Sequence, residues 1–233
     1  MLVQPRLVGR APKASSDRLE ARRGRPADFS RKSAILAWQR FDYVEGASVM
    51  MSMPAIVADE LGKHLADDFR RLFGASHQDE AERLDGIARI ALECLGKSDA
   101  LYHNVEHTFL VTLAGRDIIR GRTLTERIES EDYSHLIVAC LLHDIGYVRG
   151  ILKGDSDDEF VVEPDGRTVR LERGASDAAL APYHVNRSKI FVMERLGHSP
   201  IISAERVARA VELTRFPACR TSTADAWRTA RGD

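Results

Sequence analysis

The chain has 233 residues, a length that suits one domain with a sizeable core, and its 44% apolar and 30% charged residues are typical of soluble globular proteins. The formal net charge of −1 argues against nucleic acid as a partner of the whole molecule. No apolar run approaches the roughly 20 residues that span a bilayer, so we expect no transmembrane helix and no membrane partner.

The first 40 residues differ from the rest in charge, because they contain ten Lys and Arg residues but only three Asp and Glu residues. They are also rich in Gly, Pro and Ser and poor in apolar residues, so they cannot bury enough surface to offset their chain entropy. We expect residues 1–50 to form a basic, disordered tail. A nucleic-acid-binding arm is the alternative, but it lacks aromatic residues interleaved with the basic ones.

Helical periodicity then runs through most of residues 51–220. In the first segment apolar residues recur at helical spacing, Pro54 lies in the first turn and Gly74 follows the last turn. In the second segment Ser76 is the predicted N-cap. The fourth segment is nearly apolar through its middle, so we expect it at the centre of the core. The predicted helices cover residues 54–74, 76–96, 104–120, 129–148, 182–197 and 203–216.

Residues 153–181 interrupt the helical pattern. The stretch "DEFVVEPDGRTVRLER" places two β-type runs on either side of Pro164-Asp165-Gly166, which is typical of a β-hairpin. The sequence therefore predicts an all-α domain over residues 51–220 with a small β-hairpin insertion near residues 158–173. An irregular tail is expected over residues 221–233.

The three cysteines, Cys94, Cys140 and Cys219, lie far apart and form no CxxC pair. Cys94 and Cys140 fall within apolar helical patterns, where buried free thiols are common. This favours a reducing, cytoplasmic location without a disulfide framework or a thiolate zinc site.

Two histidines stand out in the stretch "YHNVEH", which covers residues 102–107. His103 and His107 are four residues apart, so they share one face if this segment is helical. Such a pair can hold a metal ion, but helix-surface or capping histidines have the same spacing. The pair is therefore weak evidence on its own.

A second polar pair, His143-Asp144, ends the apolar helix in "ACLLHDIGY". Burying a charged Asp beside a His is costly unless each has a partner, and a divalent cation is such a partner. The alternative is a capped helix end that faces solvent. With His103 and His107, the pair supplies imidazole and carboxylate ligands that suit Zn, Mn, Fe or Mg.

The motifs "YHNVEH" and "LLHDIGY", in this helical order, resemble the HD superfamily of metal-dependent phosphohydrolases, in particular its cyclic-nucleotide phosphodiesterases. The similarity covers roughly residues 85–216. It implies an HD-type helical bundle in which His107, His143 and Asp144 bind a divalent metal ion and His103 acts on the leaving group. On the same resemblance, Asn104 and His184 are candidate substrate-binding residues, although Asn104 also suits a helix cap and His184 a surface position.

The sequence departs from the phosphodiesterase pattern at two places. Tyr147 stands where the motif HDxxH has its second histidine. The family also supplies a last Asp ligand from a helix after the "TRF" region, and Asp225 and Asp233 are the only acids beyond Glu212. Either the sequence is truncated there or catalytic competence is lost. We therefore expect weak metal binding, low activity and an exposed apolar face on the 203–216 helix that favours homo-oligomers.

The function expected from the resemblance is metal-assisted hydrolysis of a small-molecule phosphoester, such as a nucleotide or a cyclic nucleotide. A degenerate HD domain that serves as a non-catalytic binding or regulatory module is one alternative. The other is an inverted zinc peptidase, because "HNVEH" also fits the pattern HxxEH with Glu106 as the general base. That alternative leaves His143 and Asp144 unexplained.

Overall fold

The computed structural model describes residues 7–8 and 52–216, and six α-helices form most of this part of the chain. The prediction of a mainly helical domain is therefore confirmed. The helices are α1 (Met53–Phe73), α2 (Gln78–Leu95), α3 (Val105–Arg122), α4 (Ser130–Leu142), α5 (His184–Leu196) and α6 (Ala204–Glu212).

Helix α1 begins and ends where its capping residues predict. The Ser52 hydroxyl accepts a hydrogen bond from the backbone N–H of Ala55, and Pro54 occupies the first turn, where its missing N–H costs nothing. Gly74 ends the helix with a φ of 88°, a conformation that favours glycine. The face that carries Leu61, Leu65 and Phe69 is buried, and α1 packs along α2.

Helix α2 begins later than the sequence predicts. Residues Ala75–His77 form a 3₁₀ turn, and α2 starts at Gln78 with His77 at the N-cap position. Ser76 lies inside that turn, so its prediction as the N-cap is wrong.

Helix α4 is central, as predicted, but it ends at Leu142 and not near residue 148. The cause lies on α5: the Ser188 hydroxyl donates to the His143 carbonyl (2.7 Å) and accepts from the Gly146 N–H (2.9 Å). These backbone groups would otherwise continue the helix. The chain instead makes a buried 3₁₀ turn over Ile145–Tyr147.

Helix α6 packs on α4 and α5. Ser203 caps its N-terminus by accepting from the Arg206 N–H (3.3 Å), and the Ser203 N–H donates to Nε2 of His135 on α4 (2.9 Å). The side of α6 with Val207 and Val211 is fully buried. The helix ends at Glu212, four residues before the predicted boundary at 216.

The predicted hairpin is present as β2 (Glu159–Val161) and β3 (Thr168–Arg170), which pair antiparallel across a turn with a positive φ at Gly166. A short strand β1 (Leu7–Val8) pairs with the other edge of β3, giving the order β1-β3-β2. The sequence did not predict this strand within residues 1–50. Buried apolar side chains of the insertion form a small second cluster, which includes Phe160 and Val169.

The described helices include none that is long and apolar enough to cross a membrane. Cys94 and Cys140 are free thiols. The predictions for the rest of residues 1–50, for Cys219, for the 221–233 tail and for Asp225 and Asp233 lie outside the described residues.

Candidate metal centre

Four histidines from separate parts of the chain converge on the carboxylate of Asp144. The Asp144 side chain is only 2% exposed. His103 lies in the loop before α3 and His107 in its first turn, whereas His143 follows α4 and His184 begins α5. The structure thus brings the predicted metal ligands together and adds His184 to them.

The nitrogens approach both oxygens of this carboxylate. Nδ1 of His103 lies 2.7 Å from Oδ2, Nε2 of His143 lies 3.1 Å from it and Nε2 of His107 lies 3.4 Å from it. Nε2 of His184 lies 3.8 Å from Oδ1. Ligand atoms of His103, His107 and Asp144 all lie within 4.8 Å of one another, close enough to hold one metal ion.

Backbone hydrogen bonds set the orientation of two of these imidazoles. Nδ1 of His143 donates to the Cys140 carbonyl (2.8 Å), and Nδ1 of His184 donates to the Ala181 carbonyl (2.6 Å). A neutral imidazole whose Nδ1 carries the proton has its lone pair on Nε2. Both Nε2 atoms face Asp144, and each offers a lone pair there whenever its ring is neutral. Metal-binding histidines are commonly held in this way.

The donor set fits a cation. Nε2 of His107 lies 3.3 Å from Nε2 of His143, beside the same carboxylate oxygen. With both rings neutral and unprotonated at Nε2, the two nitrogens and the anionic oxygen would repel one another unless a cation lay among them. Borderline metals such as Zn and Fe accept such a mixture of nitrogen and oxygen ligands.

The electrostatics of the cluster keep Asp144 ionised. Burial disfavours its charged form, but hydrogen bonds and charges from His143 and His103 outweigh burial and lower the pKa of Asp144 to about 2. Burial lowers the pKa of His107 and of His184, so both favour the neutral form that binds metals. For His143 burial also opposes the charge, yet the Asp144 carboxylate raises its pKa.

A family model described as Npun_R2479-like matches residues 51–230. The chain belongs to the Npun_R2479-like family. No curated protein and no solved structure gives a significant match to the chain. The range that matches the Npun_R2479-like model includes Asp144 and all four histidines around it.

Asn104, a predicted substrate-binding residue, caps α3. Its Oδ1 accepts from the His107 N–H (3.0 Å), and its Nδ2 donates to the Leu101 carbonyl (2.9 Å). The side chain thereby fixes the backbone of His107 in the first turn. Its role in substrate binding stays a prediction. His184, the other predicted substrate-binding residue, lies against Asp144 itself.

Arg187 is a supporting residue that the sequence pattern did not reveal. Its side chain is fully buried, and its five N–H groups all have acceptors. Two of them donate to the two carboxylate oxygens of the buried Asp155 (3.0 and 2.9 Å). The other three donate to the carbonyls of Gly146, Val148 and Val161. Arg187 thus ties the segment after Asp144 to the β insertion. The sequence shows Arg187 only as a basic residue within a predicted amphipathic helix. No local pattern indicates that its hydrogen-bond acceptors are buried.

A second support holds the loop that carries His103. Oδ1 of Asp99 accepts from the Asp177 N–H (2.6 Å), while the Asp99 N–H donates to Oδ2 of Asp177 (3.2 Å). Arg149 forms an ion pair with the same Asp177 carboxylate (2.6 Å). These partners lie 78 residues apart in sequence, so no local motif could have linked them.

Proposed function

We propose that the protein is a metal-dependent phosphohydrolase of the HD type. The observation that carries this proposal is the convergence of imidazole nitrogens on one buried carboxylate, with Nε2 of His143 and of His184 oriented by backbone hydrogen bonds. A mainly helical fold is also what the resemblance implies.

In this proposal His107, His143 and Asp144 hold the cation, and His184 is available as a fourth ligand. A divalent cation bound there supplies a water of lowered pKa and polarises the phosphoryl oxygen. His184 offers a way to complete the ligand set without Asp225 or Asp233, the two acids that follow Glu212 in the sequence.

His103 differs from the other histidines because it meets Asp144 through Nδ1 and not through Nε2. A proton on Nδ1 is held by the carboxylate, which leaves Nε2 to exchange a proton with the substrate. We assign His103 the role of general acid, which gives its proton to the leaving oxygen of the phosphoester. Asp144 orients this imidazole by accepting from its Nδ1.

The arrangement favours this function over the inverted zinc peptidase. Glu106, the general base of that alternative, belongs to the exposed face of α3, whereas Asp144 lies at the centre of the histidines. A peptidase would not require the buried carboxylate. The proposed substrate is a small-molecule phosphoester, a chemical class that includes nucleotides and cyclic nucleotides.

The test combines metal analysis with a hydrolysis screen. The full chain is loaded with Zn²⁺, Mn²⁺, Fe²⁺ or Mg²⁺ and assayed on phosphomonoesters, phosphodiesters and cyclic nucleotides. We expect Asp144→Asn to lose both bound metal and hydrolysis. His103→Asn should keep the metal, because its amide can replace the Nδ1 donor, yet lose roughly 10²–10⁴-fold in turnover. His198→Gln, at an exposed histidine, is the control.

Two results would contradict the proposal. One is a wild-type chain that binds none of these cations. The other is hydrolysis that survives Asp144→Asn unchanged. Stoichiometric metal without hydrolysis of any phosphoester would instead support the non-catalytic binding module.

A further inference from the structure

Tyr147 lies next to two of the histidines at Asp144. Its ring centroid is 4.3 Å from that of His103 with an interplanar angle of 17°, and 4.6 Å from that of His184 with an angle of 20°. Both contacts are nearly parallel stacks. The tyrosine is only 3% exposed, so its ring is enclosed at the site.

Both imidazoles lie on the same face of the Tyr147 ring. Two rings stacked on opposite faces of a third would be separated by about 7 Å, because each stack needs about 3.5 Å between planes. The centroids of His103 and His184 are 5.9 Å apart, which is less than that separation. The two imidazoles therefore stack side by side on one face of the Tyr147 ring.

The backbone on both sides of Tyr147 is fixed by Arg187. The guanidinium donates to the carbonyl of Gly146, the residue before the tyrosine, and to that of Val148, the residue after it. Gly146 also permits the close approach of α5, because a Cβ at residue 146 would lie 2.0 Å from the His184 carbonyl oxygen. Tyr147 is thus held in place by groups other than the two histidines.

The hydrogen bond to Ala181 fixes one atom of the His184 ring, and the Tyr147 ring adds a flat contact to the planes of both imidazoles. The terminal torsion of a histidine side chain is broad, so its backbone does not fix the plane of the ring. His103 comes from a loop, and its side chain is 30% exposed. A flat, immobile surface under both rings restricts this rotation and keeps one nitrogen of each aimed at the Asp144 carboxylate.

We propose that Tyr147 is a positioning residue whose ring sets the planes of His103 and His184 at Asp144. The inference deepens the proposed function and depends on it for the identity of the metal site. It also accounts for the tyrosine at a position where the sequence departs from the phosphodiesterase pattern. The aromatic ring, and not the phenolic hydroxyl, carries the effect.

The experiment compares Tyr147→Phe, which keeps the ring, with Tyr147→Leu, which removes it but keeps an apolar side chain. Tyr133→Leu is the matched control, because Tyr133 is fully buried against Phe69 and Phe73. Co²⁺ is titrated into each metal-free full-length protein, and the visible absorption bands report affinity and coordination. Thermal unfolding of each metal-free protein is measured in parallel.

We expect Tyr147→Phe to bind Co²⁺ as the wild type does and Tyr147→Leu to bind roughly tenfold or more weakly, with altered bands. Tyr133→Leu should lower the unfolding temperature at unchanged affinity. The inference is overturned if Tyr147→Leu binds Co²⁺ normally. Equal weakening by Tyr147→Phe would overturn it as well, since the hydroxyl would then be responsible.

A readout without metal separates this inference from the proposed function. In the metal-free protein, NMR signals of the His103 and His184 ring protons should be shifted upfield by the stacked tyrosine. Tyr147→Leu should remove these shifts, whereas Tyr147→Phe should retain them. If the wild type binds no Co²⁺ but the shifts behave as expected, the metal site fails and the stacking stands. Unchanged shifts in Tyr147→Leu would refute the stacking itself.

Discussion

Replacing Arg187 by Met gives the sharpest test of how the segment around Asp144 is held. The guanidinium and the Asp155 carboxylate are both fully buried, and they form two hydrogen bonds of 3.0 and 2.9 Å. The methionine keeps much of the apolar volume of the arginine but none of its donors. The Asp155 charge would then be buried without its counter-charge.

The expected loss of stability follows from that unpaired charge. Removing one member of a buried ion pair typically costs about 3–5 kcal/mol. Three carbonyls, those of Gly146, Val148 and Val161, lose a donor at the same time, which places Arg187→Met at the upper end of this range. For a domain of this size, a loss near the upper end lowers the unfolding temperature by roughly 10–20 °C.

Urea and thermal unfolding, followed by circular dichroism, measure this loss. The control is Arg170→Met, which removes the exposed ion pair with Asp158 on the same insertion and should change stability by less than about 1 kcal/mol. Arg187→Met combined with Asp155→Asn should lose less than the sum of the single variants, because the second change removes the unpaired charge. If Arg187→Met costs no more than the control, the reasoning from burial is refuted.

Three further predictions concern other parts of the chain. Burial and the nearby Arg206 charge lower the pKa of His135 from its ordinary 6.5 to about 4. The stability that neutral His135 contributes to the folded state is therefore fully present above pH 6.5 and is lost as the pH falls towards 4. In the wild type this loss amounts to about 3 kcal/mol of unfolding free energy between pH 6.5 and 4. His135→Gln should abolish that loss, and an unchanged pH dependence would exclude the mechanism. Asn104→Ala should destabilise the protein by about 1 kcal/mol in urea unfolding, and no loss would show that the cap of α3 contributes nothing. Gly146→Ala should unfold at a clearly lower temperature than Gly121→Ala, because an added Cβ meets a backbone oxygen at residue 146 and open space at residue 121. Equal temperatures would contradict the close packing.

Local pattern was sufficient to predict the helices and the hairpin, because amphipathic spacing and turn residues act within a few residues of one another. The end of α4 shows where this reasoning stops. Its apolar run suggested a helix to residue 148, but Ser188 takes the backbone groups of His143 and Gly146 that would continue it. Ser76 is not the N-cap of α2, because it lies inside the 3₁₀ turn Ala75–His77 that precedes the helix.

The sequence by itself determined the residue types of the site: the imidazoles of His103 and His107 at helical spacing and the His143-Asp144 pair after a buried helix. Only the tertiary structure decided which atoms meet. In the folded chain His184 lies beside Asp144, and the buried guanidinium of Arg187 donates to five acceptors. The imidazoles of His103 and His184 stack on the Tyr147 ring. The physical reason is that helical periodicity is a local property of the chain. Orientation around a buried carboxylate depends instead on hydrogen bonds and packing between segments about 40 residues apart, which only the folded chain brings together.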